Sequence, residues 1–205
     1  AAAIPEVFLT AYQALVWLAE LKEGESILIH AGASGVGTAA IQLAQLLKAS
    51  EIYTTASAKK HKICSDLGAD VVIDYKTENF ADVIAERTAG KGVDVIVDFI
   101  AAPYLQQNLQ SLAIEGRLVV LAFLGGVMVE NLNLAALLRK RIEIIGTTLR
   151  PRSQEYKIKL SKELQTLTWS HFSEGTIKPI IDSVVSWRDV AKAHTRMENN
   201  ENAGK

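Results

Sequence analysis

Residues 31–37 read Ala-Gly-Ala-Ser-Gly-Val-Gly. Taken as Gly32-x-Ser34-x-x-Gly37, this is a dinucleotide-binding fingerprint whose middle glycine has become serine, with Gly35 one place later. Gly32 admits a tight turn. The small Ala33 and Ser34, with Gly35, let backbone approach a pyrophosphate, and Gly37 lets a following helix lie close to the preceding strand. Amides at the start of that helix face the anion, and the helix dipole adds to the attraction. The competing reading is a tight turn with no ligand. A Walker-type phosphate loop is excluded, because no Lys-Ser or Lys-Thr follows the glycines.

An NAD site presents an Asp or Glu to the ribose about 20 residues beyond the glycines. Here the chain reads Tyr53-Thr54-Thr55-Ala56-Ser57-Ala58-Lys59-Lys60, with no acid. Ser57 can donate a hydrogen bond, and Lys59 or Lys60 can meet a 2′-phosphate that a carboxylate would repel. The expected cofactor is therefore NADPH. The alternative is a solvated basic helix start, although lysines there oppose the dipole.

No catalytic residue emerges from the remaining chemistry. His30, inside an apolar run, reads as a packed strand-end histidine, and His61, His171 and His194 read as solvated. Asp98 falls where open α/β sheets place ligands, but a structural hydrogen bond to a neighbouring turn accounts for it equally well. Cys64 has no adjacent base to make it a nucleophile, and a single cysteine with scattered histidines offers no metal site.

The elements that must position these residues alternate regularly. A helix over 6–21 carries Leu9, Tyr12, Leu15, Val16 and Ala19 at helical spacing. Strands are predicted at 26–31, 51–56, 71–74, 93–99, 116–122 and 142–147, with helices at 38–48, 59–67, 79–88, 104–112 and 132–140 between them. Each strand is apolar almost throughout, so both faces must be covered: an α/β, doubly wound, parallel six-stranded Rossmann sheet. Beyond Pro151 the pattern gives a long helix over 154–172, a strand over 177–185 and a last helix over 187–197 beginning near Ser186.

Composition narrows the classes of function. The formal charge of −1, from 22 Lys+Arg and 23 Asp+Glu, leaves no electrostatic footprint for nucleic acid or an anionic membrane. The longest apolar runs, such as 93–102, are broken by Asp94 and Asp98 and fall short of the roughly 20 residues of a membrane span. One cysteine suits a reducing, cytoplasmic compartment. The chain begins Ala-Ala-Ala-Ile-Pro without an initiator Met and stops at Lys205 without a closing element, which reads as a piece of a longer protein.

With the glycine turn in hand, the chain resembles the medium-chain dehydrogenase/reductase superfamily, specifically its zinc-free quinone oxidoreductase branch of the p53-inducible NADPH type. The carriers are Leu9 to Leu15, Leu21 to Ala44, Leu67 to Asp70 with Asp74-Tyr75-Lys76, Gly92 to Tyr104, and Gly116 to Gly126. The resemblance implies a connecting helix over 1–23, an NADPH-binding Rossmann domain over 24–150, and helices and a strand over 151–205 that lead back to a substrate domain outside this sequence. It also implies a homodimer joined through the sixth-strand edge. It carries the pyrophosphate turn onto Ala33, Ser34, Gly35, Val36 and Gly37, and 2′-phosphate recognition onto Ser57 and Lys60. Tyr75 takes an adenosine-side contact, Phe123, Leu124, Thr148 and Leu149 flank the nicotinamide, and Asn202 reaches the cofactor. Two departures are small in size: Ala56 stands where a glycine is common, and Ala101-Ala102 replaces a glycine pair.

The implied activity is hydride transfer from NADPH to a quinone or conjugated enone. An enoyl-thioester or enal reductase of the same superfamily is one rival. A protein that binds NADPH without turnover, as a sensor or structural component, is another.

Overall fold

A computed structural model describes residues 3–205. Six strands, β1 (Ser26–Ile29), β2 (Glu51–Ala56), β3 (Val71–Asp74), β4 (Val93–Asp98), β5 (Leu112–Val120) and β6 (Glu143–Gly146), form one parallel sheet in the order β3-β2-β1-β4-β5-β6. Side-chain alternation divides the core in two. Ile27, Ile29, Val95, Val97 and Val119 point into one layer, and Leu28, Ile96 and Leu118 into the other. Parallel strands buried on both faces must be apolar in both registers, which is why they read as continuous hydrophobic runs.

The first layer is closed by α1 (Pro5–Tyr12), α2 (Gly35–Leu46) and α7 (Gln154–Glu174). The second contains α4 (Phe80–Arg87) and α5 (Leu105–Ser111), while α3 (His61–Asp66) and α6 (Ala135–Lys140) complete the crossovers and α8 (Val190–Glu198) ends the helical series. Pro5 starts α1 where its missing N–H costs nothing. The helical path then continues as a π-turn over Gln13–Leu18 that buries Gln13, Ala14 and Leu15. Asn79 and Ser153 cap α4 and α7 by accepting from Ala81 and Tyr156 amides. Among the described residues no helix is long and apolar enough to cross a membrane.

A partly buried ion pair ties the sheet to its N-terminal helix. Arg117 on β5 reaches both carboxylate oxygens of Glu25, at 3.0 and 2.5 Å, and donates from Nε to the Ala19 carbonyl at 2.8 Å.

The strand expected at 177–185 does not form. Gln42 on α2 accepts from the Lys178 amide at 2.9 Å and donates to the Lys178 carbonyl at 3.0 Å, so a side chain takes backbone groups that a ladder would use. Further on, only the Lys205-to-Ile180 and Asp182-to-Lys205 backbone bonds remain, too few to make a strand. The last helix is preceded by a 3₁₀ turn over Trp187–Asp189 that Ser186 caps, as its position suggested.

Candidate functional site

The chain order reverses between β1 and β4: from β1 the next strand in sequence lies on one side, and the path later resumes on the other. Open α/β sheets bind ligands outside the carboxyl ends of strands at such a switch point. A cavity of about 790 Å³ opens there. Ala31 beyond β1, Thr55 and Ala56 on β2, and Ile100 beyond β4 line its floor.

The glycine turn forms one wall. Ser34 is the N-cap of α2, its Oγ accepting from the Gly37 amide at 3.0 Å. The helix therefore starts at Gly35, earlier than the predicted Thr38, and Gly35, Val36 and Gly37 make its first turn. With Gly37 satisfied by Ser34, and Thr38 by the Ser34 carbonyl at 2.9 Å, the amides of Gly35 and Val36 have no protein partner among the described residues. Two free amides at the start of a twelve-residue helix form an anion cradle.

The glycines serve close approach more than unusual dihedrals. A Cβ on Gly37 would sit 2.3 Å from the Ala31 carbonyl oxygen, and one on Gly32 would sit 1.8 Å from Thr54 Oγ1. The sharp backbone turn falls instead on Ala31, with φ of +49°. A second alanine, Ala101 after β4, has φ +67° and ψ −111°. Non-glycine residues in such regions cost roughly 1–3 kcal/mol each, so the surrounding bonds must hold both loops.

Across the cavity the end of β2 presents Ser57 and Lys60. Lys60 donates to Asn200 Oδ1 at 2.7 Å, and Asn200 Nδ2 donates to the Tyr75 hydroxyl at 3.4 Å, so the three side chains meet at one corner. Burial lowers the Lys60 pKa from the ordinary lysine value, partly countered by the Asp182 charge. No acid stands at the end of β2.

Of the residues expected to contact a cofactor, Ala33, Ser34, Gly35, Ser57, Lys60, Tyr75, Leu124 and Asn202 line this cavity. Gly37 lies behind the turn against backbone, and Val36 packs on the adjoining core. Phe123 is exposed outside the cavity, the Thr148 carbonyl accepts from Arg152, and Leu149 packs against the main core. Sequence reasoning missed Thr55, Tyr104 and the Asp182–Arg196 pair. Thr55 was findable as the last-but-one residue of a central strand, whereas Asp182 and Arg196 carry no local signal.

His30 is fully buried, as its place in an apolar run suggested, and burial lowers its pKa despite the nearby Asp98. Asp98 accepts from the Ile100 and Ala101 amides, a structural bond to the neighbouring turn. Burial pushes the Cys64 thiol up to about 11, away from nucleophilic reach. Among the described residues no three His, Cys, Asp or Glu side chains gather as a metal-binding group.

Residues 35–166 match the family model for zinc-binding dehydrogenases. The chain is 36% identical to the lovastatin diketide synthase lovF of Aspergillus terreus, over 100% of this chain and 8% of that protein. It is 32% identical to the quinone oxidoreductase of Homo sapiens, over 94% of this chain and 56% of that protein. The crystal structure of CurK enoyl reductase superposes with a TM-score of 0.83 at 32% identity, covering 99% of this chain and 60% of that one. The chain thus spans about half the length of single-enzyme relatives and a small part of the synthase.

Proposed function

This chain belongs to the zinc-binding dehydrogenase family of the medium-chain dehydrogenase/reductase superfamily, and from that premise we propose that it is the cofactor-binding part of an NADPH-dependent quinone oxidoreductase. The observation that carries the reading is Lys60, facing the cavity beside Ser57 at the end of β2 where an NAD site would place an acid. The fit to a nicotinamide dinucleotide rests on the free Gly35 and Val36 amides and on glycines whose Cβ would fill the turn.

When bound, the cofactor supplies a hydride from its nicotinamide to a quinone or conjugated enone. The protein's residues bind and orient. Gly35 and Val36 take the pyrophosphate, with Ala33, Ser34 and Gly37 shaping the turn; Lys60 and Ser57 take the 2′-phosphate, and Tyr75 covers the adenosine. Phe123, Leu124, Thr148 and Leu149 stand in the loops that flank the nicotinamide, Leu124 being the one of the four that lines the cavity, and Asn202 reaches the cofactor. Residues 24–150 form the cofactor domain, with 1–23 and 151–205 leading to a substrate domain, and β6 joins two copies along its open edge. Ile144 on that edge is 44% exposed, and a monomer by light scattering of the longer protein would rule the dimer out.

A second reading keeps the hydride donor and changes the acceptor to an enoyl thioester, favoured by the CurK enoyl reductase likeness. Assays of the longer protein with a quinone and an enoyl thioester separate the two.

Calorimetry tests the cofactor assignment. NADPH is expected to bind at least about tenfold more tightly than NADH, roughly 1.4 kcal/mol, and Lys60→Ala to remove that preference while leaving NADH affinity in place. Equal affinities in the unaltered protein would refute it.

A further inference from the structure

Beneath the cavity floor lies a hydrogen-bond chain that the cofactor reading does not use. His30 Nδ1 is 3.1 Å from Thr55 Oγ1, and His30 Nε2 is 2.8 Å from Asn108 Oδ1. Asn108 Nδ2 donates to Asp98 Oδ2 at 2.9 Å, and Asp98 Oδ1 accepts from the Ile100 amide at 2.7 Å and the Ala101 amide at 3.2 Å. At the other end, Thr55 Oγ1 accepts from the Ala31 amide at 3.2 Å. His30, Thr55, Asn108 and Asp98 are all buried.

The protons in this chain have one consistent arrangement. Asp98 takes only donors, so Asn108 turns its NH₂ to Asp98 and its carbonyl to His30. His30 must then donate from Nε2, which leaves Nδ1 as an acceptor for the Thr55 hydroxyl. Thr55 spends its hydrogen on His30 and its lone pair on Ala31. Each of these bonds then runs from a donor to an acceptor, and the Ala101 amide also reaches Asp98 Oδ2 at 3.1 Å.

The two ends of the chain are Ala31 and Ala101, both with positive φ. Ala31 follows β1 and Ala101 follows β4, one on each side of the switch point, and the cavity is lined by Ala31 and by Ile100 beside Ala101. We infer that His30 is a positioning residue: through Thr55 and through Asn108–Asp98 it holds the loops after β1 and β4 in the strained shape that forms the cofactor crevice. This rests on the reading of the crevice as a nicotinamide site. The ring is kept in place by Phe80 and Tyr104, whose rings stand 4.7 and 4.8 Å from it between centroids.

The chain works with a neutral ring. A proton on Nδ1 would turn an acceptor into a donor and leave the Thr55 hydrogen unmatched. The titratable groups facing His30 are Asp98 from β4 and Tyr104 from the turn before α5; Phe80, Thr55 and Asn108 bring no charge. With the folded pKa below the unfolded one, the folded state binds fewer protons. Stability from this site is complete above about pH 6.5 and is lost as pH falls below that.

Two measurements test the inference. Nitrogen-15 correlation spectra of the unaltered protein should show His30 as the Nε2–H tautomer, still neutral at a pH just below about 6.5, the ordinary histidine value. The Nδ1–H tautomer, or a His30 ring that takes up its proton at the ordinary histidine value, overturns it. In calorimetry, Thr55→Val should weaken NADPH and NADH alike by about tenfold, and Thr55→Ser should restore both. His30→Phe, which keeps an aromatic ring beside Phe80 and Tyr104, should match Thr55→Val. This differs from Lys60→Ala, which touches NADPH alone. A Thr55→Val protein that melts lower but binds both cofactors normally overturns the positioning role and leaves the cofactor reading standing. If the unaltered protein binds neither cofactor, both fall together.

Discussion

Gly37→Ala is expected to abolish measurable cofactor binding and to destabilise the fold by about 3 kcal/mol, at the upper end of what overpacking typically costs. The added Cβ would lie 2.3 Å from the Ala31 carbonyl oxygen, 2.7 Å from Gly32 Cα and 2.8 Å from Gly32 C. All three are backbone atoms, so no side chain can swing aside. Relief requires lifting α2 from β1, but α2 is fastened by Ala39, Ala40, Ile41 and Leu43, all within the main core. The same movement would displace the Gly35 and Val36 amides that form the anion cradle. Urea denaturation and calorimetry with NADPH read the two effects. Gly146→Ala is the control: its Cβ would meet nothing within 4 Å, and a change within about 0.5 kcal/mol is expected. A Gly37→Ala protein with the unaltered urea midpoint would contradict the packing argument.

Arg117→Met is expected to cost about 3 kcal/mol, because it leaves Glu25 charged and poorly hydrated. The Arg117 and Glu25 side chains are only 16% and 19% exposed, and they meet as a two-pronged pair. Arg117 also supplies the Ala19 carbonyl, at the end of the π-turn, with its donor. Removing both charges together, as Arg117→Met with Glu25→Gln, should recover a large part of the loss, since no unpaired carboxylate remains. Urea midpoints of the two single variants and the double variant give the coupling. A loss under about 1 kcal/mol for Arg117→Met would place the pair with exposed ion pairs and refute the assignment.

Much of the sheet was legible because parallel strands covered on both faces leave an unbroken apolar signature. The segments at 51–56 and 71–74 appear in the structure with the bounds read from the sequence, and those at 26–31, 93–99 and 142–147 are trimmed by one or two residues at their ends. Helix starts were less legible. α2 begins at Gly35 because Ser34 caps it, and a propensity argument that treats glycines as breakers places the start too late. The segment at 177–185 has strand-like composition, but strand formation needs a neighbour with free backbone groups. Its neighbour is the Gln42 side chain.

The site divides along the same line. The sequence by itself determined the glycine turn, the missing acid after β2 and the basic Ser57–Lys60 stretch, because each is a property of residues adjacent in the chain. Only the tertiary structure decided that Lys60 meets Asn200 and Tyr75 at one corner, that Asp182 and Arg196 line the same cavity as the glycine turn, and that His30 joins Thr55 to Asn108 under the floor. The hydrogen-bonded pairs His30–Thr55, His30–Asn108, Asn200–Tyr75 and Lys60–Asn200 are separated by between 25 and 140 positions along the chain. The sheet order that brings them together is set by burial of both faces at once, a condition no local window of residues can express.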